Sequence, residues 1–297
     1  DTARYINVLR RRLRELRPDL VHTNTLKAAV YGSIAAEAAH VPLVMHVRDR
    51  IANDYLPAPA VRMVRFMARA FPAAVITNSA ATMSTLGRGC YVRMAIPSPV
   101  VFDSCTEHLD HADRGGPVLR VGILGRVAPW KGQDVFLRAF ALAFPDGEVR
   151  AAVIGAALFG EDDYEASLHD LAAQLGIADR VEFRGFRDYV PGELERLDVL
   201  VHASVTAEPF GQVVIEGMAA GLPVIASNEG GPAEVITDGV DGILVAPGSP
   251  ELLADALTRV AADPELRVRL ATNAVARAKQ FTPERVAAQV RDVYGQA

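Results

Sequence analysis

The chain has 297 residues, half of them apolar and 23% charged, which excludes a disordered or collagen-like polymer and is more than one hydrophobic core usually organises. Residues 1–102 carry 14 Lys or Arg against 6 Asp or Glu, whereas 103–297 carry 17 against 30, so a net charge of -5 conceals a basic and an acidic part. The acidic part speaks against nucleic acid as a partner, and no apolar run approaches the roughly 18 residues of a membrane helix.

In chain order, an amphipathic helix spans Tyr5–Arg17, and strands are predicted at Asp19–His22, Leu43–Val47, Ala74–Asn78 and Tyr91–Ala95, with helical segments between them. The helix opens the chain with no strand before it, so an N-terminally shortened first domain is expected. Within it, Val61–Phe71 sets Arg62, Arg65 and Arg69 on one helical face and Val61, Val64, Ala68 and Phe71 on another. Two readings stay open: a surface helix burying its apolar stripe, or peripheral contact with an anionic membrane. The stretch 103–117 has no period and is rich in Pro, Asp, His and Gly, as a linker is.

From Val118 strands and helices alternate again. Strands are predicted at Leu119–Leu124, Arg150–Ile154, Val181–Arg184, Asp198–His202, Pro223–Ala226 and Gly242–Val245. Helices are predicted near Gln133–Ala143, Tyr164–Leu175, Glu193 and Gly211–Ala220, and then at Pro250–Ala262, Pro264–Lys279 and Thr282–Tyr294. This is the pattern of a doubly wound parallel sheet. The domains are expected at 1–102 and 118–280, with 103–117 as linker and 281–297 as a C-terminal helix packing back on the first domain. Cys90 and Cys105 are the only cysteines, too few for a disulfide framework, and no leader opens the sequence, so a cytoplasmic location is expected, with the inner face of the membrane as the variant.

There is no P-loop, no His-Glu-x-x-His, no Gly-x-Ser-x-Gly and no Gly-x-Gly-x-x-Gly after a strand, which removes the usual kinase, metalloprotease, hydrolase and dehydrogenase signatures. The segment EPFGQVVIEGMAAGLPVIA follows a strand, with Glu208 in the loop and Pro209-Phe210-Gly211 opening a helix. That arrangement aims backbone N–H groups at the carboxyl edge of the sheet, where an anion is favoured. Glu216 lies about one and a half turns into that helix, where a carboxylate can accept from a vicinal diol. The plain alternatives are a capping acid and a solvated glutamate. In Gly125-Arg126-Val127-Ala128-Pro129-Trp130-Lys131-Gly132, two cations on a turn-shaped loop after a strand can converge on one diphosphate, or serve solubility alone. Gly230-Gly231 feed a helix start. Cys105, His108 and His111 recur at threes beside Asp110 and Asp113, but without a second cysteine pair no metal site is assigned.

The blocks GRVAPWKG, EFRGF, EPFGQVVIEGMAAGLPVIAS, GGPAEVITDG and DGILVAPGS together resemble the C-terminal domain of the retaining nucleotide-sugar glycosyltransferases of GT-B architecture, family four, group 1. RPDLVHTNTLKAAVYGSIAA, VPLVMHVRD and AVITNSA are similar to the later part of that family's first domain. Gly217 stands where that family has alanine, and its opening strands and glycine-rich loop have no counterpart. The resemblance implies two Rossmann-like domains facing across a cleft, the first incomplete. It also implies sugar transfer from a nucleoside diphosphate sugar to a saccharide or lipid-linked acceptor, with no metal and no other cofactor. By the same resemblance Arg126 and Lys131 meet the donor diphosphate, Glu208 the sugar hydroxyls and Glu216 the ribose. Gly125, Phe210, Gly211, Gln212 and Val213 line the donor, Gly185 and Phe186 face the base, and His46 approaches the sugar, although a satisfied histidine at a strand end reads equally well. A nucleotide-sugar-binding remnant without turnover is the competing reading.

Overall fold

The computed structural model describes residues 2–89, 92–101 and 119–297. Cys90, the 103–117 linker and its Cys105, His108 and His111 lie outside the described residues. The chain divides into two compact units, Asp1–Pro99 with Pro283–Ala297 (unit 1) and Val100–Thr282 (unit 2).

Unit 1 contains α1 (Thr2–Leu16), β1 (Val21–Thr23), α2 (Leu26–Ala39), β2 (Leu43–Val47), α3 (Ala58–Ala70), β3 (Ala74–Thr77), α4 (Ala80–Thr85) and β4 (Val92–Ala95). Its four strands pair in parallel in the order β1-β2-β3-β4, with Val44 opposite Ala74 and Ala74 opposite Val92. Every residue of β2 and β3 is buried, as in a parallel sheet covered on both faces. Helix α2 begins at Thr25, whose side chain accepts from the Ala28 N–H, and stops at His40 in the left-handed region. The apolar stripe of α3 is consumed in the core: Val61, Val64 and Ala68 pack with Met45, Val47 and Val75. Arg65, on the charged face, donates to the carbonyls of Thr85 and Ile51 at 2.8 and 3.0 Å. The stripe read as a membrane face is therefore core, while Arg62, Met63, Phe66 and Arg69 are exposed.

Unit 2 contains β5 (Arg120–Leu124), α5 (Gln133–Ala143), β6 (Arg150–Ile154), α6 (Asp162–Gln174), β7 (Val181–Gly185), α7 (Val190–Leu194) and β8 (Val199–His202). These are followed by α8 (Gln212–Ala219), β9 (Val224–Ser227), α9 (Pro232–Val235), β10 (Ile243–Val245), α10 (Pro250–Ala262) and α11 (Pro264–Ala278). Its six parallel strands run β10-β9-β8-β5-β6-β7, the doubly wound order that reverses direction between β8 and β5. Phe136, Phe140, Leu168, Leu257 and Val260 fill one face of the sheet, and Leu200, Val214, Ile215, Met218 and Ala274 the other. Gly217 sits in this second layer, where a Cβ would lie 2.3 Å from nothing larger than a leucine methyl yet still displace Leu200.

The last helix, α12 (Pro283–Tyr294), belongs to unit 1. Its Val286 and Val293 pack with Val44, Ala74, Ile76 and Ile96, covering the sheet face left open by α3. Unit 1 is thus assembled from both ends of the chain. Among the described residues no helix is long and apolar enough to cross a membrane.

Candidate functional site

In an open parallel sheet, the loops leaving the carboxyl ends of the strands at the order reversal form a crevice suited to a ligand. Here those loops follow β5 and β8, and they carry Gly125–Gly132 and Ala203–Gly211. The two loops are stitched together by main chain. Val205 N–H donates to the Trp130 carbonyl at 2.9 Å, and Gly132, at φ 70°, lies so near the Ala203 carbonyl oxygen that a Cβ would overlap it. A residue with a side chain at 132 would meet both steric strain and a backbone clash. Gln133 holds the first loop from inside: buried, it donates through Nε2 to the Arg126 carbonyl at 2.9 Å, and its Oε1 faces the Ala128 N–H at 3.5 Å.

Glu208 is the centre of the arrangement. Lys131 Nζ donates to its two oxygens at 2.7 and 2.8 Å, His202 Nε2 approaches Oε2 at 2.6 Å and Ser204 Oγ donates to Oε2 at 2.8 Å. A carboxylate only accepts, so His202 must carry its proton on Nε2. Burial opposes charge on Glu208, but His202, through charge and hydrogen bond, and then Lys131 outweigh it, and the carboxyl lies well below the usual range. Gly230 supports the same residue from behind, pairing with Glu208 as a parallel bridge, and Gly231 N–H donates to the Glu208 carbonyl at 2.9 Å. The Gly-Gly turn is therefore backbone support for Glu208.

Arg126 and Lys131 flank one indole: the guanidinium carbon lies 5.5 Å and the ammonium 4.5 Å from the Trp130 ring centre. Arg126 also reaches Glu161 at 3.5 Å and the Phe159 ring at 5.4 Å. Each cation thus has a carboxylate partner, Lys131 with Glu208 and Arg126 with Glu161. Phe159, 88% exposed at φ 61°, and Glu161 were not singled out in the sequence, because the loop after β6 carries no motif.

Gly211, at φ 82°, is the residue before α8, and its missing Cβ spares Pro232 Cγ a 2.8 Å approach. Gln212 opens that helix, and Glu216, one turn on, has its carboxyl raised by burial, opposed by a hydrogen bond from Gln212. Phe210 and Val213 are core residues, 5% and 8% exposed, with Phe210 against Phe281 at 6.4 Å. Their expected part in lining a donor reduces to their backbone. Gly185, at φ 63°, accepts from Gly155 N–H at 3.0 Å at the end of β7, and Phe186 beyond it is 67% exposed. Gly125, at φ 146°, closes β5 and donates to the Ile154 carbonyl at 2.9 Å.

In unit 1, His46 ends its strand buried. Burial first, then the charges of Arg48 and His22, lower its ring to about 3, so it is neutral at ordinary pH. Its Nδ1 lies 3.3 Å from His22 Nε2, and its Nε2 is buried with no partner among the described residues. No group of three or more His, Cys, Asp or Glu among the described residues is arranged to hold a metal ion.

A doubly wound sheet with a buried carboxylate and two cations gathered at its order reversal defines a nucleotide-binding α/β unit. Residues 117–277 match the family model of glycosyl transferases group 1, and residues 1–95 that of the glycosyl transferase 4-like domain. The chain belongs to the group 1 glycosyltransferases and has the GT-B fold. Among its relatives, the D-inositol 3-phosphate glycosyltransferase of Streptomyces bingchenggensis is 32% identical over 94% of this chain and 67% of that protein, so the chain spans about two thirds of that relative's length. The Anabaena protein HepE, solved with UDP and glucose, is 31% identical at a TM-score of 0.87, covering 98% of this chain and 81% of HepE. Sucrose-phosphate synthase from Thermosynechococcus elongatus shares the fold at a TM-score of 0.84 and 22% identity, over 98% of this chain and 77% of the synthase.

Proposed function

We propose that the protein moves a sugar from a nucleoside diphosphate sugar to an acceptor hydroxyl with retention of configuration and without a metal ion. The observation that carries this reading is the Lys131–Glu208 pair at the order reversal of the six-stranded sheet, with Arg126 on the other side of Trp130. Arg126 and Lys131 stabilise the charge that grows on the diphosphate as the C1–O bond breaks, a fixed electrostatic contribution made where charge develops. Glu208, kept ionised by its neighbours, accepts from sugar hydroxyls. Glu216 accepts from the ribose, the backbone of Gly125, Phe210, Gly211, Gln212 and Val213 surrounds the donor, and Gly185 and Phe186 meet the base. The acceptor oxygen attacks C1 on the face the phosphate leaves, and the departing phosphate oxygen takes the acceptor proton, so no side chain is needed as general base. His46 meets a sugar hydroxyl.

HepE, solved with UDP-glucose, makes UDP-glucose the first donor to test, and D-inositol 3-phosphate is the first acceptor. Calorimetry separates the roles: Glu216→Ala weakens UDP itself, whereas Glu208→Ala spares UDP and weakens UDP-glucose. Equal losses of both ligands in both variants would reject the assignment. A radiolabelled UDP-glucose assay then tells turnover from binding alone.

A further inference from the structure

His22, His46 and Tyr294 form a hydrogen-bonded row inside unit 1, built from β1, β2 and the end of α12. Tyr294 Oη lies 2.6 Å from His22 Nδ1, and His22 Nε2 lies 3.3 Å from His46 Nδ1. The rings stack loosely, with centres 5.7 Å apart at 86° for the Tyr294–His22 pair and 5.4 Å apart at 50° for the two histidines. The row ends at His46 Nε2, an atom in a residue only 7% exposed and with no partner among the described residues. Buried polar atoms are paired in the great majority of cases, so an orphan at the end of a three-residue row is a place where a ligand atom completes the bonding.

We propose that Tyr294 and His22 are positioning residues that fix the His46 tautomer with its proton on Nε2, so that this atom donates a hydrogen bond to a sugar hydroxyl oxygen. The inference rests on the reading of His46 as a residue that meets the sugar. Each gap in the row holds one hydrogen, so only two neutral arrangements exist. In one, the phenol donates to His22 Nδ1, His22 donates from Nε2 to His46 Nδ1, and His46 is left with N–H at Nε2. In the other, every hydrogen is reversed and His46 Nε2 is a bare acceptor.

The chemistry of the row selects the first. A phenol is a proton donor of ordinary pKa about 10 and an imidazole nitrogen is its best available acceptor, whereas the reverse sends a weaker N–H to a weaker acceptor. Burial keeps Tyr294 protonated and both rings neutral, with Arg48 adding to the penalty against a charged ring. The second shell of partners that orients a histidine is the usual means by which one ring nitrogen is committed to a task, here through a residue contributed by the opposite end of the chain.

The test begins with the unaltered full chain labelled with 15N-histidine, whose seven histidines are assigned by substitution. The expected spectrum has His46 protonated at Nε2, and a His46 protonated at Nδ1 overturns the proposal without any variant. In Tyr294→Phe the Nε2–H population of His46 should fall to a mixture, with kcat/KM for sugar transfer about tenfold lower and UDP affinity unchanged. His22→Phe should cause the same loss, and the two changes combined no further loss. An unchanged His46 tautomer in Tyr294→Phe, or losses that multiply in the double variant, overturns the row as a device. A shifted tautomer together with full sugar transfer by His46→Ala overturns the placement of His46 at the sugar instead, and so separates that failure from failure of the row.

Discussion

Lys131 and Glu208 illustrate how far single residues decide this protein. Loss of one charge-assisted contact to a diphosphate is worth about 1.5–3 kcal/mol, so Lys131→Ala should weaken UDP about ten- to hundredfold by calorimetry. The same change leaves a carboxylate, only 12% exposed, with two donors in place of three, and the melting temperature without ligand should fall as well. Lys131→Gln, which still donates one neutral hydrogen bond, should recover part of the stability and little of the affinity. His46 gives a second expectation. Its folded value of about 3 lies below the ordinary 6.5 of an unfolded histidine, so the unfolded chain binds the extra proton as pH falls from 6.5. Stability is therefore full above about pH 6.5 and declines toward pH 3, by about 1.4 kcal/mol per pH unit for this one ring. Urea unfolding at pH 7.5 and 5 should show that slope, and His46→Gln should remove about one proton's worth of it, leaving the part due to His22, which is lowered in the same direction.

At the level of elements, the six-stranded sheet was legible because its strands are short apolar runs between turn residues, and predicted bounds such as Arg150–Ile154 and Pro250–Ala262 coincide with the observed ones. Arg126, Lys131, Glu208 and Glu216 were legible because each stands at a fixed distance after a strand or inside a helix. What the sequence hid is what depends on long-range contact. Gln133 looks like any helix-opening residue until its amide is seen bracing the Arg126 loop, and Glu161 and His202 carry no motif yet partner Arg126 and Glu208. Phe210 and Val213 sit inside the strongest motif but face the core, since the period of a helix turns some motif residues inward whatever their neighbours do.

Helix α3 shows the same ambiguity resolved by packing. Its apolar stripe is buried, so what remains for an anionic membrane is the exposed row Arg62, Met63, Phe66 and Arg69. Attraction through two arginines should be screened over about 8 Å at physiological salt. Flotation with anionic vesicles should therefore recover the protein at low salt and lose it at high salt, and Phe66→Ser should reduce recovery at both. No recovery at low salt would confine the protein to solution.

For the whole molecule, the division into units carries its own expectation. Ending the chain at Thr282 removes Val286 and Val293 from the face formed by Val44, Ala74 and Ile76, at about 1.5–3 kcal/mol for each buried valine. Unit 1 should then melt well below its place in the complete chain, while unit 2 keeps its own cores and its affinity for UDP. Calorimetric scanning with and without UDP distinguishes the two transitions, since ligand bound only to the native state raises only the transition of the unit that binds it.

Unit 2 is one continuous stretch, whereas unit 1 is written at both ends of the message. On the ribosome, unit 2 has all its residues before unit 1 has its last helix, so the part that starts first is finished last. The same split governs recombination. A chimera that exchanges donor specificity between relatives must take residues 100–282 and leave 283–297 with the recipient, because a crossover carried to the C-terminus would deliver a foreign helix, and a foreign Tyr294, to the recipient's first sheet.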